Sequence, residues 1–483
     1  MGILENIEPK LVFKYFEEIS NIPRGSGNEK EMSDYLVSFA KKHGLEVIQD
    51  EVLNIVIKKP ASKGYENAPG VILQGHMDMV CEKNKDTVHD FTKDPIELKI
   101  DGDNIYANGT TLGGDDGIAV AYCMAILADD TIEHPSLEVL LTTDEETGMT
   151  GAENISPEHI DGKILLNIDS EEEGELLVSC AGGIRTRAIM PITWEDKCDC
   201  QEALEIKIKG LKGGHSGSDI TKGRANSNKI MARLLKGISD KYDIRLAYIE
   251  GGAKDNAIPR ESETIITAKK EDINNIKNEI VKLEEIFKHE FKIQDPDLTI
   301  EVIDHEGTKK TFDKESTKKV ITLLYLYPNG INTMSKAIHG LPESSTNIGV
   351  VETDGDKVRI ASAVRSSVPS LNDEIVLRSK TLTETLGGEL ITEAPYPAWE
   401  YKEESKIREI CKDVYKKMYG EDPKVVAIHA GVECGLFEER IGNLDMISFG
   451  PNIYDAHTPQ EHMSIKSVKN VWEYLVNVLK EIK

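Results

Sequence analysis

Residues 71–80, Val-Ile-Leu-Gln-Gly-His-Met-Asp-Met-Val, form an apolar run that ends in a His-x-Asp pair. The run predicts a buried strand with a polar tip. Because side chains alternate between faces along a strand, His76 and Asp78 point the same way. The Asp78 carboxylate can then orient the His76 imidazole and raise its basicity as a metal ligand. For this pair alone, an ordinary strand end with a polar turn is the alternative interpretation.

The segment before this strand predicts two helices followed by short strands. Apolar residues recur at helical spacing in residues 11–19 and again in residues 32–39. Ser26 and Glu29 have the spacing of a capping box ahead of the second helix, and Gly44 suits its C-terminal end. The alternation of helices and strands predicts an α/β sheet.

A glycine-rich segment, residues 108–117, leads into the next predicted helix. Such a loop could bind phosphate, but it has neither a GxGxxG pattern nor a Walker lysine. Asp115 and Asp116 would also repel phosphate at the start of the helix. Carboxylates there are favourable to the helix dipole, so capping is the simple interpretation. Metal ligation at this loop requires partners from elsewhere in the chain.

Such partners follow other predicted strands. The strand at residues 137–143 leads into the acidic segment 144–146, and the strand at residues 164–168 leads into Asp169. A strand near the C-terminus is followed by His457. Because ligands of open α/β sheets bind beyond the carboxyl ends of strands, we expect these side chains at one edge of the sheet. For each acid taken alone, a solvated turn is the alternative.

The length of 483 residues predicts at least two domains. Residues 184–395 alternate predicted strands and amphipathic helices in the manner of an α+β layer, whereas the chain from residue 396 returns to the first style. We therefore predict a catalytic domain formed by residues 1–183 plus 396–483, with residues 184–395 as an inserted lid. The insertion is about twice the length that a four-stranded, two-helix layer needs, which suggests a duplicated module.

The composition and charge of the chain indicate which kinds of binding partner to expect. The formal net charge of −27 disfavours nucleic acid and anionic membrane surfaces. The N-terminal residues lack the features of a signal peptide, and no apolar run approaches the ~20 residues of a membrane span, so we expect a cytoplasmic protein. The seven cysteines form no CxxC pair and are expected to be small buried hydrophobes, with Cys198 and Cys200 as the one close pair.

Six short motifs together resemble the aminoacyl-histidine dipeptidase group of the co-catalytic zinc peptidases, the family that includes carnosinase and carboxypeptidase G. The motifs span nearly the whole chain and are Gly75-His-Met-Asp78, Gly114-Asp-Asp-Gly117, Asp144-Glu-Glu-Thr-Gly148, Asn167-Ile-Asp-Ser170, Gly214-His-Ser-Gly217 and Ala456-His-Thr-Pro459. The resemblance implies a phosphorylase/hydrolase-like α/β domain, a mixed sheet flanked by helices, with an inserted α+β lid. It also implies a cis peptide bond between Asp115 and Asp116.

The same resemblance implies a centre that holds two divalent cations. His76 and Asp169 would bind one cation, Glu146 and His457 would bind the other, and Asp115 would bridge both. The family favours Zn²⁺, and a donor set of histidines and carboxylates would also suit Mn²⁺ or Co²⁺.

Further roles are implied by the same resemblance. Glu145 would be the general base that takes a proton from a water shared by the two cations and passes it to the leaving amine. His215 would reach from the lid to the developing oxyanion, either within one chain or from the second subunit of a homodimer. Arg365 would bind the substrate carboxylate, with a surface salt bridge as the alternative. Weaker candidates for substrate binding are Asn256, Arg260, Gly431 and Glu433.

Taken together, the resemblance implies hydrolysis of unblocked dipeptides, including those with C-terminal histidine. An N-acyl amino acid deacylase or a carboxypeptidase of the same family is the runner-up, against which the long lid and the segment around Glu433 argue. A catalytically inactive binding or assembly relative would be expected to lack Glu145 or a metal ligand, and all of these residues are present.

Overall fold

The computed structural model describes residues 2–483 and divides the chain into two compact units. The first unit comprises Met1–Ser179, Tyr401–Ala427 and Val432–Lys483, and the second comprises Cys180–Glu400 and Ile428–Gly431. The boundaries predicted from the sequence, 183/184 and 395/396, lie a few residues from these divisions. The short segment 428–431 additionally joins the second unit.

Helices and strands alternate in the N-terminal part of the chain. The helices are α1 (Lys10–Ile19), α2 (Lys30–Lys42), α3 (Gly114–Ala128) and α4 (Thr150–Glu153). The strands are β1 (Glu46–Gln49), β2 (Ile55–Lys59), β3 (Val71–His76), β4 (Leu98–Asp101), β5 (Asn104–Ala107), β6 (Leu137–Thr142), β7 (Ile164–Asn167) and β8 (Glu175–Cys180). The apolar stripes at residues 11–19 and 32–39 lie in α1 and α2, where they supply the buried side chains of both helices.

The inserted part of the chain is richer in strands. Its strands are β9 (Gly182–Pro191), β10 (Trp194–Asp196), β11 (Gln201–Lys209), β12 (Gly214–His215), β13 (Arg245–Gly251), β14 (Ala257–Ile258), β15 (Ser262–Lys269), β16 (Thr299–His305), β17 (Lys310–Phe312), β18 (Gly330–Met334), β19 (Pro342–Asp354), β20 (Lys357–Ser366) and β21 (Glu389–Tyr396). Its helices are α5 (Ser227–Ser239), α6 (Ile273–Glu290), α7 (Lys314–Leu326) and α8 (Pro369–Thr385).

The C-terminal part returns to alternating helices and strands. Its elements are α9 (Lys406–Tyr419), β22 (Lys424–Ile428), α10 (Glu433–Arg440), β23 (Asp445–Ser448), β24 (Ile453–Tyr454), β25 (His462–Ser464) and α11 (Ile465–Glu481).

The main sheet of the first unit is mixed, with the strand order β1-β2-β6-β3-β7-β23-β8-β22. Its centre is parallel, because β3 runs parallel to β6 and β7, and β23 runs parallel to β7. The strands β1 and β2 extend one side in antiparallel pairing. The carboxyl ends of the four central strands therefore meet at one edge, and the residues that follow those strands come together there.

The helix α3 follows the glycine-rich loop and is apolar on every side. Its residues 117–127 are all buried. A helix that is hydrophobic all round is stable when it is covered all round, so α3 belongs to the core of the first unit. This burial fixes the position of the acidic residues at its start.

The second unit is built on a nine-stranded sheet. Its order is β16-β11-β15-β13-β19-β20-β9-β21, and β18 pairs with β19. Four strands and the helices α5 and α6 form one half, while the other strands and α7 and α8 form the second half. The halves join where β13 meets β19, at the single pair Gly251 and Val351. Apolar side chains from both halves form one core. The duplication of a module stays a prediction.

Two local predictions need correction. The capping box is wrong, because the Ser26 hydroxyl donates to Asp78 Oδ2 (2.7 Å) and Glu29 Oε1 accepts from the N–H groups of Gly27 (2.8 Å) and Asp144 (3.1 Å). Both side chains thus support the loops beyond β3 and β6. Burial of every cysteine is also wrong: Cys81 is exposed, and Cys198 and Cys200 form a disulfide.

Throughout residues 2–483, no helix combines the length and apolarity needed to cross a membrane.

Candidate active site

Two histidines and three carboxylates meet at the carboxyl edge of the main sheet. Asp115 lies at their centre, at the start of α3. Its Oδ1 atom is 3.1 Å from His76 Nε2, and its Oδ2 atom is 3.1 Å from His457 Nε2. The carboxylate therefore presents one oxygen to each histidine.

Each histidine has a second acidic neighbour. His76 Nε2 lies 3.5 Å from Asp169 Oδ1, and His457 Nε2 lies 3.0 Å from Glu146 Oε2. Two groups result, His76 with Asp169 and His457 with Glu146, and they share Asp115. This is the division that the sequence resemblance implies for two cations.

The donor set fits divalent cations. The buried Oε1 atom of Glu146 has no hydrogen-bond partner among the described residues. His76 Nδ1 is also buried, and its nearest acidic oxygen, Asp78 Oδ1, is 3.4 Å away. Acidic side chains outnumber histidines in this small volume, and uncompensated charge is costly to bury. Cations held by these oxygen and nitrogen atoms would balance the excess negative charge.

The pKa shifts show the same imbalance. Hydrogen bonds to Asp115 and Glu146 raise the pKa of His457 to about 11. Burial alone would lower the pKa of His76, but its acidic neighbours, Asp115 first, raise it well above the usual value. Burial raises the pKa of Asp169 to about 6. Burial and the crowding of carboxylates around the two histidines are the causes of these shifts.

Asp78 connects the loops that carry these side chains. Its Oδ1 accepts the backbone N–H of Glu145 (3.1 Å), and its Oδ2 accepts that of Glu146 (3.3 Å). Burial acts to raise the pKa of Asp78, yet its contact with His76 brings the pKa below the usual value. An ionised Asp78 can therefore orient His76 and hold the tip of β3 against the loop after β6.

Glu145 differs from its neighbours in having a free carboxyl group. Its side chain forms no hydrogen bond within residues 2–483, although ligand atoms of Glu145, Glu146 and His76 lie within 4.8 Å of one another. Burial raises the pKa of Glu145 well above the usual value. A carboxylate with raised basicity and no fixed partner is suited to accept a proton.

Two unusual backbone conformations occur among the residues of this cluster. The Asp115–Asp116 peptide bond is cis, and His457 adopts φ +63°. The left-handed region is uncommon for residues other than glycine and is often found at functional sites. A Cβ atom on Gly75 would lie 2.5 Å from Asp116 Oδ2, so only glycine fits beside that carboxyl group.

In the second unit, a separate group of polar side chains surrounds Arg365. Arg365 is buried near the end of β20, with Nη1 bonded to the Tyr396 hydroxyl (2.5 Å) and Nη2 3.5 Å from His215 Nε2. Asn256 lies beside this group, because its carbonyl accepts the Ser216 N–H (2.8 Å) next to His215. Arg365 and His215 are therefore neighbours, as two residues that act on one substrate would have to be.

Two weaker candidates occupy other positions. Arg260 is exposed and lines a groove of about 760 Å³ together with Lys212 and Lys254. It forms no hydrogen bond with Arg365 or His215. Gly431 lies against the ring of Tyr396, where a Cβ atom would be 2.8 Å from Cε2. Gly431 thus provides space for the tyrosine.

Comparison with known proteins identifies the family. Residues 72–481 match the protein family described as "Peptidase family M20/M25/M40". The chain belongs to peptidase family M20/M25/M40. The matched residues include all five side chains of the acidic and histidine cluster.

Full-length relatives agree with this membership. The cytosol non-specific dipeptidase of Escherichia coli (strain K12) is 39% identical over 482 residues, which are 100% of this chain and 99% of that protein. The crystal structure of aminoacylhistidine dipeptidase from Vibrio alginolyticus matches with a TM-score of 0.96 at 39% identity, over 99% of this chain and 98% of that chain. Aminopeptidase PepT from Bacillus cereus shares the fold, with a TM-score of 0.58 at 16% identity over 99% of both chains. The mixed α/β fold is that of M20 peptidase structures.

Glu461 supports the cluster of histidines and carboxylates, although none of the sequence motifs includes it. Glu461 is buried, and its carboxylate accepts the N–H groups of Leu112 (2.8 Å), Gly113 (3.1 Å), Gly114 (2.7 Å) and Asp115 (3.4 Å). It therefore holds the backbone that presents Asp115. Its signal in the sequence is weak, a single acid four residues after His457.

Replacing Glu461 by glutamine should weaken metal binding by about 10- to 100-fold. This loss is typical when a residue that hydrogen-bonds to a metal ligand is mutated. The amide has one acceptor oxygen, and its NH₂ group would face backbone N–H donors. Calorimetric titration of the metal-depleted protein with Mn²⁺ measures the change, and excess Mn²⁺ should restore part of the activity. The exposed Glu473→Gln is the control; unchanged Mn²⁺ affinity in Glu461→Gln would contradict the assignment.

Glu433, a weaker candidate for substrate binding, is held by side chains of β3 and β6. It is fully buried, and its Oε2 atom accepts hydrogen bonds from Gln74 Nε2 (2.7 Å) and Thr142 Oγ1 (2.9 Å). Its Oε1 atom is buried without a hydrogen-bond partner among the described residues, and a role in substrate binding stays a prediction. Burial raises the pKa of Glu433 to about 8.

The buried acid should make stability depend on pH. The pKa of Glu433 is higher in the folded chain than in the unfolded chain, so its stabilising effect is complete below about pH 4.5 and is lost as pH rises through about 8. Within this window, each pH unit should lower the free energy of unfolding by up to about 1.4 kcal/mol. Glu433→Gln should flatten this part of the profile, measured by urea unfolding in the presence of a chelator.

The exposed Glu439, in the same helix, offers a matched control. Glu439→Gln should follow the wild-type pH profile. An equally steep profile in Glu433→Gln would show that another group is responsible.

Proposed function

We propose that this M20-family protein hydrolyses unblocked dipeptides, including those with C-terminal histidine, at a centre of two divalent cations. The observation that carries the proposal is the position of Asp115, whose two oxygens each lie 3.1 Å from a different histidine. The names of the Escherichia coli and Vibrio alginolyticus relatives support dipeptides as the substrate class.

Five side chains would hold the cations: His76 and Asp169 for one, Glu146 and His457 for the other, and Asp115 for both. We propose Zn²⁺, and the same nitrogen and oxygen donors would also accept Mn²⁺ or Co²⁺. When bound, the cations polarise the scissile carbonyl group and lower the pKa of water.

Glu145 acts as the general base in this proposal. Its carboxylate takes a proton from the attacking water and passes it to the nitrogen of the leaving amine. Its raised pKa and the absence of a hydrogen-bond partner among the described residues support this role. Asp78 keeps His76 in place through the contact with its Nδ1 atom.

Arg365 and His215 bind substrate oxygens in this proposal, the C-terminal carboxylate and the developing oxyanion respectively. Arg365 is buried without an ion pair to any carboxylate in residues 2–483, as a guanidinium that awaits a substrate anion would be. A homodimer formed through the second unit and a cytoplasmic location belong to the same proposal; the latter agrees with the name of the Escherichia coli relative.

The proposal is tested by the release of histidine from Ala-His and β-Ala-His by the metal-depleted protein, before and after addition of Zn²⁺, Mn²⁺ or Co²⁺. Cation-dependent release is expected, with little hydrolysis of N-acetyl-Ala-His or Ala-Ala-His. A preference for the acetylated substrate would indicate a deacylase, and a preference for the tripeptide would indicate a carboxypeptidase. No hydrolysis of any substrate would indicate an inactive relative.

A further inference from the structure

The guanidinium of Arg365 is held on one side only. Its Nη1 atom donates to the Tyr396 hydroxyl, whereas its buried Nε atom has no hydrogen-bond partner among the described residues. A guanidinium binds a carboxylate best when two of its N–H groups donate in parallel. With Nη1 engaged by Tyr396, the Nε and Nη2 atoms are the two donors left for such a pair.

His215 adds a third donor beside them. Its Nδ1 atom faces the N–H groups of Gly217 (3.3 Å) and Ser218 (3.2 Å), so Nδ1 accepts and the proton of the neutral imidazole lies on Nε2. Burial, and next the charge of Arg365, lower the pKa of His215 and favour this neutral form. Arg365 Nη2 and His215 Nε2 are then two donors 3.5 Å apart with no acceptor between them. Each is therefore free to donate to an oxygen of the substrate.

Asp219 lies beside this donor group, where it accepts the backbone N–H of His215 (2.8 Å) and forms an ion pair with Lys222. On the neighbouring strand, Ser345 lies opposite Arg365 and its hydroxyl pairs with His429 Nε2 (2.7 Å). Burial, and next the charge of Arg365, lower the pKa of His429 to about 4, so this histidine is neutral near pH 7. No carboxylate within residues 2–483 forms an ion pair with Arg365.

Two glycines leave room for Tyr396 in this position. Gly183 pairs with Tyr396 across the sheet, and a Cβ atom on Gly183 would collide with the tyrosine hydroxyl. Gly431 approaches the ring from the other segment of the unit, where a Cβ atom would lie 2.8 Å from Cε2. A side chain at either glycine would therefore collide with the Tyr396 ring in its present position.

We propose that Tyr396 is a positioning residue that holds Arg365 through Nη1, so that Nε and Nη2 converge on the free C-terminal carboxylate of the substrate and His215 Nε2 stays available for the oxyanion. Tyr396 thereby sets the preference for substrates that end in a carboxylate over those that end in an amide. This inference rests on the proposed dipeptidase function.

The test compares Ala-His with its C-terminal amide, Ala-His-NH₂, in the cation-loaded wild type and Tyr396→Phe. The variant removes one hydrogen bond to a charged group and keeps the ring. We expect KM for Ala-His to rise about tenfold, with a smaller change in kcat, so that the ratio of kcat/KM values, acid over amide, falls about tenfold. The exposed Tyr325→Phe, in the same unit, should retain the wild-type ratio.

Equal losses for acid and amide in Tyr396→Phe, or an unchanged ratio, would overturn the inference. A wild-type protein that hydrolyses neither compound would contradict the proposed function instead. Calorimetric binding of Ala-His and Ala-His-NH₂ then decides on Tyr396: about tenfold weaker binding of the acid alone supports the inference, and equal affinities of wild type and variant for the acid overturn it.

Discussion

Replacing Glu145 by glutamine is expected to lower kcat for Ala-His by about 10³-fold, within the range that general acid–base catalysis contributes. The amide has nearly the shape of the carboxylate but cannot accept the proton of the attacking water. The Glu145 side chain forms no hydrogen bond within the described chain, so its loss should leave the fold intact. Steady-state kinetics give kcat, and metal analysis after gel filtration should find two cations per chain, as in the wild type.

The exposed Glu158→Gln provides the matched control and should have wild-type kcat. More than a few per cent of wild-type activity in Glu145→Gln would remove Glu145 from the role of general base. Loss of a cation together with activity would instead make it a ligand.

Replacing Asp115 by asparagine is expected to weaken binding at both cation sites by at least about 100-fold. Mutation of a residue that only hydrogen-bonds to a metal ligand costs up to about 100-fold, and Asp115 is itself a proposed ligand. Each oxygen of Asp115 faces a different histidine, and the amide keeps only one such oxygen and no charge. Activity should fall below about 1% of wild type at the Mn²⁺ concentration that saturates the wild type. Calorimetric titration of the metal-depleted variant with Mn²⁺ measures both sites.

The adjacent Asp116→Asn is a demanding control. Asp116 is buried, its Oδ2 accepts the His76 N–H (3.1 Å), and burial raises its pKa well above the usual value. An amide can replace a protonated carboxyl group at such a place, so most metal affinity should remain. Equal losses in the two variants would show that Asp116, which lies within 4.8 Å of ligand atoms of His76 and Asp169, shares the ligand role.

The strands that carry the site residues could be predicted from the sequence, because local pattern and chemistry coincide in them. The apolar run before His76 lies in β3, and the runs before Glu145 and Asp169 lie in β6 and β7. These runs are fully buried, so hydrophobicity alone marks them as strands. The parallel pairing of β3 with β6 and β7 then brings their carboxyl ends to one edge, as the sheet rule predicts.

The partners of polar side chains could not be predicted from the sequence, because each such side chain can form several kinds of hydrogen bond. Ser26 and Glu29 have capping-box spacing, but a short pattern does not show that Asp78 and the Asp144 N–H offer better partners across the fold. The sequence also does not show that Glu433 is fully buried, where Gln74 and Thr142 donate hydrogen bonds to its carboxylate.

By itself, the sequence determined which side chains could carry the chemistry, because His76, Asp115, Glu145 and Asp169 stand where buried strands or a glycine-rich loop end. Only the tertiary structure decided how their atoms are shared: one oxygen of Asp115 toward each histidine, Glu461 bound to the loop that carries Asp115, and Tyr396 bound to Arg365. The physical reason is that hydrophobic pattern is a local property of the chain. These hydrogen bonds join residues from 31 positions apart, for Arg365 and Tyr396, to 347 positions apart, for Gly114 and Glu461, and they form only after the backbone has been packed.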